Sequence, residues 1–285
     1  APVVGGELPT SRSMIFVSPD GERSMNTYLG ISTELGPQDV PEAVASNSDM
    51  IFLEGYLFDK DKGKEAFRQA SRLTRAGGGK SGIAISDPFC VDRHRIDFLD
   101  MIGNELDYVI GNQFEIMSLF ETDDLEAAIN KTADMIPLMI CTKSGDGGTI
   151  IGEGKRVDIP VDTITPVDAT GAGDQFAAGF IYGMLTGRDL ETCGRMGNMC
   201  AAEVISHIGP RPQADMNKRR KNWPAPATPA ASHGTPIRGA RRSCGAARWR
   251  SRARCGASSA GSRSASRRRA SGARRDGGHF FASAL

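Results

Sequence analysis

Residues Asp168-Ala169-Thr170-Gly171-Ala172-Gly173-Asp174 run straight into Gln175-Phe176-Ala177-Ala178-Gly179-Phe180. The small residues at 171–173 let a backbone approach a ligand closely, and the amphipathic spacing after them predicts a helix over Asp174–Leu185. N–H groups at a helix start lack intrahelical partners and carry the positive end of its dipole. Such a corner suits a phosphate or a transferring phosphoryl group. Asp174 falls in the first turn. Its plain use there is to complement the dipole; beside a phosphate nest it can also accept a hydroxyl proton as a general base.

Working outward, the chain upstream alternates strand-like and helix-like segments. Arg12–Ser18 and Met25–Leu29 are β-rich and flank the turn signal Pro19-Asp20-Gly21, so the opening reads as a hairpin. Asp49–Leu53 is a short apolar strand. A helical pattern over Asp59–Arg75 (Ala66, Phe67, Ala70, Leu73) stops at Gly77-Gly78-Gly79. Strand Gly82–Ser86, helix Asp92–Ile102, strand Asp107–Ile110 and helix Gln113–Phe120 follow, then a helix from about Asp123 to Met135 with Thr122 as its expected N-cap. Leu138–Thr142 is a buried-type strand, two shorter strands surround Thr149 and Val157, and a helix over Leu190–Ser206 closes the series. Strands alternating with helices of this length predict an α/β fold, a mostly parallel sheet with helices on both faces.

Charge divides the chain. Residues 1–216 hold 18 basic and 33 acidic side chains, whereas 217–285 hold 17 basic ones, 15 of them Arg, and one acid, Asp276. The second piece has one Ile, one Leu and no Val, Met or Tyr, too little apolar surface to offset its ordering entropy. It is expected to be a disordered basic tail. Clustered Arg would neutralise nucleic-acid phosphates. The competing reading is a shifted reading frame through GC-rich DNA, favoured by the abrupt onset and by Trp223 and Trp249, the only Trp in the chain.

Other classes drop out. No apolar run reaches the ~18–20 residues of a membrane helix, and no secretory signal is visible, although the chain begins at Ala1. The six scattered Cys show no metal-ligand spacing and read as reduced, mostly buried thiols of a cytoplasmic protein. Gly77-Gly78-Gly79-Lys80-Ser81 imitates the end of a P-loop, but the first Gly of that motif would fall on Thr74, and the segment closes a helix rather than opening one.

The run Asp168–Asp174 resembles the C-terminal signature of the PfkB (ribokinase-like) carbohydrate and nucleoside kinases. PDGERSMNTYLG, LEGYLFD, SDPFCVDRHR and CAAEVISHIGPRP extend the similarity over most of residues 10–216, toward the bacterial adenosine-kinase-like branch. The resemblance implies a ribokinase-like three-layer sandwich. The family's Gly-Gly-x-x-x-Asn-type motif and its early strand are absent from this sequence, so the first strands and much of the substrate lid are expected to be missing.

It also implies roles. Asp174 is similar to the catalytic base, and the amides of Gly171, Ala172 and Gly173 to the anion hole, where each donor typically supplies ~3–4 kcal/mol. Asn112 and Glu115 match the N-x-x-E motif that orients Mg²⁺ and its waters. Thr142, Ser144 and Gly147 occupy the nucleotide loop, with Ser144 in place of a frequent Gly, and Asn198 matches an adenine-site position. Asp168 and Thr170, with backbone groups near Val204, His207 and Gly209, resemble a monovalent-cation (K⁺) site. Glu54 would face the acceptor. The implied activity is transfer of the ATP γ-phosphoryl group to a primary hydroxyl, of adenosine first or another ribosyl or hexosyl compound second. A catalytically impaired nucleotide-binding fragment is the rival. A homodimer is compatible with the resemblance, as is nucleic-acid binding by the tail alone.

Overall fold

In the computed structural model, which describes residues 7–162 and 164–219, the strands form one six-stranded sheet and a separate two-stranded hairpin. The hairpin pairs β1 (Arg12–Val17) with β2 (Arg23–Tyr28). After the one-turn α1 (Glu42–Ala45) come β3 (Met50–Glu54), α2 (Asp61–Ala76), β4 (Lys80–Ala84), α3 (Pro88–Asn104), β5 (Tyr108–Asn112), α4 (Gln113–Ser118), α5 (Leu125–Met135) and β6 (Leu138–Thr142). Then β7 (Gly148–Gly152), β8 (Lys155–Ile159), α6 (Ala172–Leu185), α7 (Leu190–Val204) and the short α8 (Met216–Arg219) complete the series. The sheet runs in chain order from β3 to β8. Its first four strands are parallel and its last two antiparallel.

Period-2 alternation shows why the sheet needs cover on both faces. Val109, Met139 and Cys141 point into a core with Phe67, Phe98, Ile102, Ile116 and Ile129, beneath α2–α5. Their neighbours Tyr108, Ile110, Leu138 and Ile140 point the other way, onto Phe176 and Phe180 of α6 and Cys193 of α7. Each large apolar side chain so buried contributes about 1.5–3 kcal/mol. On the first face Phe58 stacks on Phe98 at 4.2 Å between ring centres. On the second, the Tyr108 ring lies over Gly82 of β4, where a Cβ would collide with it, and its hydroxyl donates to the Ile51 carbonyl (2.8 Å).

Local expectations are adjusted at α3, at the cap of α5 and at β4, which runs two residues earlier than expected, while the loop reading of Gly77-Gly78-Gly79 holds. α3 starts earlier than its periodicity suggests, because Pro88 suits a first helical turn and the Asp87 carboxylate caps it, accepting from Phe89 N–H (3.1 Å). It kinks at His94 (φ −128°, ψ 24°), which breaks the apolar period. α5 is capped by Asp124, which accepts from Ala127 N–H at 3.0 Å; Thr122 instead accepts from Asp124 N–H at 3.1 Å, one step outside the helix. Gly77 ends α2 and Lys80 begins β4, so the glycine run is an αβ loop. Cys90, Cys141, Cys193 and Cys200 are free and buried. Among the described residues no helix is long and apolar enough to cross a membrane. The expected disorder of 217–285 falls almost wholly outside the described residues.

Candidate active site

Ligands of parallel α/β sheets bind beyond the carboxyl ends of the strands. At that edge Glu54 ends β3, Asp87 follows β4, Asn112 ends β5 and Thr142 ends β6. The edge is tightly built. Ser86 is held at φ 77°, unusual for a residue with a side chain; its hydroxyl accepts from Gly55 N–H (2.9 Å) and its carbonyl accepts from Tyr56 OH (2.9 Å). These bonds tie the end of β3 to the end of β4.

The corner at 168–174 faces the same edge. Gly171 takes φ 82° as the N-cap of α6, a conformation glycine adopts at no steric cost, and a Cβ there would come within 2.9–3.1 Å of Pro210. Ala172 N–H donates to Ala169 O (3.3 Å) and Gln175 N–H to Gly171 O (2.9 Å); the N–H groups of Gly173 and Asp174 make no bond to the described protein atoms. A Cβ on Gly173 would meet nothing within 4 Å. The helix therefore presents two free donors to open space at its positive end.

Asp168 supports this corner from below. It is buried, and its Oδ1 accepts from Thr170 N–H (2.9 Å) while Oδ2 accepts from Gly209 N–H (2.8 Å). Burial alone would raise its pKa; hydrogen bonds from Thr170 and Gly209 outweigh that and hold it below the usual carboxylate value. The Thr170 hydroxyl is buried beside the Asp168 carboxylate, which it helps to hold ionised, so two oxygens sit together there. Val204 is buried, His207 is half-buried with its Nε2 3.5 Å from Glu203, and both lie in the chain segment that leads to Gly209.

Asp174 is open at the mouth, yet the surrounding protein desolvates its carboxyl and raises its pKa, an effect that Arg23 opposes. Glu54 is raised by burial and also by the charge of Asp174, which brings these two acids into one electrostatic neighbourhood. Asp87 is raised by burial too. Glu115 is pushed up to about 7, burial being the main cause, with the charge of Asp87 adding to it. Its oxygens are engaged locally: Oε2 accepts from Asn112 N–H (2.8 Å) and Oε1 from Asn112 Nδ2 (2.6 Å), while Asn112 Oδ1 accepts from Glu115 N–H (3.0 Å). The N-x-x-E pair thus forms a reciprocal capping box at the start of α4.

Among the described residues no three His, Cys, Asp or Glu side chains form a ready-made metal cage. Glu115 and Asp87, desolvated acids at one edge, suit instead a Mg²⁺ ion held by one or two carboxylates plus substrate phosphates. The loop after β6 places Ser144 at φ 50° and exposes it, which explains the advantage of glycine at that position; Gly147 is buried and half-buried Thr142 ends the strand. Asn198 on α7 donates to the Pro160 carbonyl (2.7 Å).

Residues 3–216 match the family described as pfkB family carbohydrate kinase. The chain belongs to that family. A crystal structure called a probable sugar kinase protein, from Rhizobium etli, superposes with a TM-score of 0.74 at 43% identity, covering 76% of this chain and 67% of its own. The adenosine kinase from Sinorhizobium meliloti gives 0.73 at 42%, covering 75% and 66%. Among curated relatives, the cytidine kinase of Thermococcus kodakarensis is 31% identical over 197 residues, 67% of this chain and 66% of that one. The chain thus spans about two-thirds of the length of each of these pfkB-type kinases.

Three site residues escaped the sequence reading. Arg23 begins β2, and its charge lowers the pKa of Asp174, Glu115 and Asp168 alike; its Nε is buried without a partner. The hairpin turn places it, since Gly21 O accepts from Ala169 N–H (2.9 Å) beside the signature run. Asp87 fell between the strand expected to end at Ser86 and the helix expected to start at Asp92, and carried no reading. Glu203, a buried acid on α7, had no motif to flag it. An Arg two residues beyond the Asp-Gly turn was the one available signal for the first.

Proposed function

We propose that residues 1–216 form the catalytic unit of an ATP-dependent kinase that phosphorylates the primary hydroxyl of a nucleoside or sugar, with adenosine the first choice. The observation that carries this reading is the free, positively polarised start of α6, with Asp174 in its first turn and the charge of Glu54 within its electrostatic reach. The 42% identity to an adenosine kinase supports adenosine as acceptor, and the 43% identity to a probable sugar kinase keeps a sugar acceptor beside it.

In this reading the acceptor hydroxyl lies between Glu54 and Asp174. Asp174 takes its proton as the oxygen attacks the γ-phosphorus in line, and the bond to the β–γ bridging oxygen breaks to release ADP. Desolvation raises the pKa of Asp174 and so makes its carboxylate a better proton acceptor. The free amides of Gly173 and Asp174, next to Gly171 and to Ala172 whose own N–H is taken by Ala169 O, line the path of the moving phosphoryl group, and Arg23 adds positive charge on the hairpin side. Thr142, Ser144, Gly147 and Asn198 flank the nucleotide. Asn112, Glu115 and Asp87 would hold Mg²⁺, which neutralises phosphate charge when bound. Asp168, Thr170 and the backbone near Val204, His207 and Gly209 would hold K⁺, for which the buried Thr170 hydroxyl beside the lowered-pKa Asp168 carboxylate is the supporting observation.

Incubation with ATP, Mg²⁺ and either adenosine or a panel of ribosyl and hexosyl compounds, read by ³¹P NMR, tests the proposal. A phosphomonoester on a primary hydroxyl together with ADP is expected. ATP binding with no phosphorylated product for any acceptor would replace it with a nucleotide-binding role.

A further inference from the structure

The segment that follows α7 carries two groups on which the candidate site depends, yet little holds it. Beyond a local contact of His207 Nδ1 with the Ile208 carbonyl (3.3 Å), three hydrogen bonds tie residues 208–214 to the rest of the described protein, and one of them ends on Asp168, from Gly209 N–H at 2.8 Å. The other two end on a single atom, Oε1 of Glu203, which accepts from Gln213 N–H (3.0 Å) and Ala214 N–H (2.7 Å). Glu203 lies on α7 and is only 4% exposed. Burying a carboxylate is costly unless hydrogen bonds compensate it; here Oε1 takes both strap bonds with His207 Nε2 3.5 Å away, while Oε2 is buried without a partner. What it holds matters for the site, because the same segment places Gly209 on Asp168 and Pro210 against Gly171. One turn upstream, the Ile205 carbonyl accepts from Val167 N–H (2.8 Å). The start of α6 is therefore braced from outside by a strap whose far end is pinned on Glu203.

We propose that Glu203 is a positioning residue for phosphoryl transfer: by pinning the 209–214 strap to α7 it fixes Gly209 against Asp168 and Pro210 against Gly171, and so sets the free amides of Gly173 and Asp174 at the start of α6. The proposal rests on the kinase reading for its kinetic consequence and on the structure alone for its mechanical one. The affected amides act on the moving phosphoryl group rather than on the bound acceptor. Loosening the strap therefore lowers kcat and leaves the acceptor KM nearly unchanged.

The test uses the full chain with three substitutions. Glu203→Ala removes the acceptor, Glu203→Leu removes it while keeping most of the volume, and Glu203→Gln keeps a carbonyl oxygen able to accept both N–H bonds. Amide hydrogen exchange should quicken at least tenfold at Gly209, Gln213 and Ala214 in the Ala and Leu variants, stay unchanged at Phe180 in α6, and remain as in the wild type in Glu203→Gln. Turnover should follow the same order: kcat down at least tenfold in Ala and Leu, within about threefold in Gln, acceptor KM within twofold throughout. Unchanged Gly209 exchange in a folded Ala or Leu variant, or a Gln variant as impaired as either, overturns the proposal. Should the Ala and Leu chains fail to fold, loss of Gly209 protection in Glu203→Gln overturns it equally. A wild-type chain with no turnover would sink the kinase reading instead, and the exchange data would still decide the strap.

Discussion

Two glycines in one turn give opposite expectations, and the pair tests where a phosphate sits. Gly173 lies inside the first turn of α6, and a Cβ added to it would have no neighbour within 4 Å. Replacing a helical Gly by Ala gains up to about 1 kcal/mol in an exposed position. Gly173→Ala is therefore expected to leave stability unchanged or slightly raised, while its methyl group fills the open space before the free amides and weakens ATP binding and turnover at least tenfold. Gly171 is the reverse case. At φ 82° an alanine pays about 1–2 kcal/mol for the left-handed backbone, and its Cβ, 2.9 Å from Pro210 Cβ, forces the 209–214 segment outward. Gly171→Ala should lose about 2–3 kcal/mol of stability, and an error of about 1 Å in the site costs about 10²-fold in rate. Urea unfolding supplies the stabilities, and calorimetric titration with ATP and Mg²⁺ the affinities. A Gly173→Ala chain that binds and turns over ATP like the wild type would refute this placement of the phosphate.

Two further outcomes follow from the geometry. In metal-free protein the Glu115 carboxyl releases its proton near 4.5 when unfolded but at about 7 when folded. Between those values the folded state binds the extra proton, so stability falls as pH rises through this window, by about 3 kcal/mol at about 1.4 kcal/mol per pH unit. Glu115→Gln should flatten that slope; parallel pH profiles of urea unfolding for the two chains would contradict it. Ser144→Gly should stabilise the chain by about 0.5–1 kcal/mol, since relief of the left-handed strain at φ 50° outweighs the added freedom of the unfolded glycine. A loss of stability in thermal unfolding would show that the serine side chain contributes more than its backbone costs.

Where the sequence was legible, local chemistry carried the information. Buried strands such as Leu138–Thr142 announce themselves by a short apolar run between turn signals, and Gly171, at φ 82° against Pro210, marks the start of α6 through a backbone requirement that glycine meets best. Where it was not, the answer depended on chain segments far apart. Arg23 belongs to the site only because the hairpin turn docks on Ala169, and Glu203 matters only because Gln213 and Ala214 return to it. The kink at His94, whose Nε2 lies 2.9 Å from Asp59, and the shift of a cap from Thr122 to Asp124 are cases where several local side-chain hydrogen bonds compete for the same backbone.

The role of Asp174 is the point on which the chemistry turns, and its isosteric amide isolates that role. Asp174→Asn keeps the size and the helix start but removes the proton acceptor. ATP affinity by calorimetry should stay within a few-fold of the wild type, while the rate of phosphorylated-product formation with the best acceptor falls by at least 10³-fold. Substantial residual turnover with intact ATP binding would show that another group takes the proton, and would contradict the assignment.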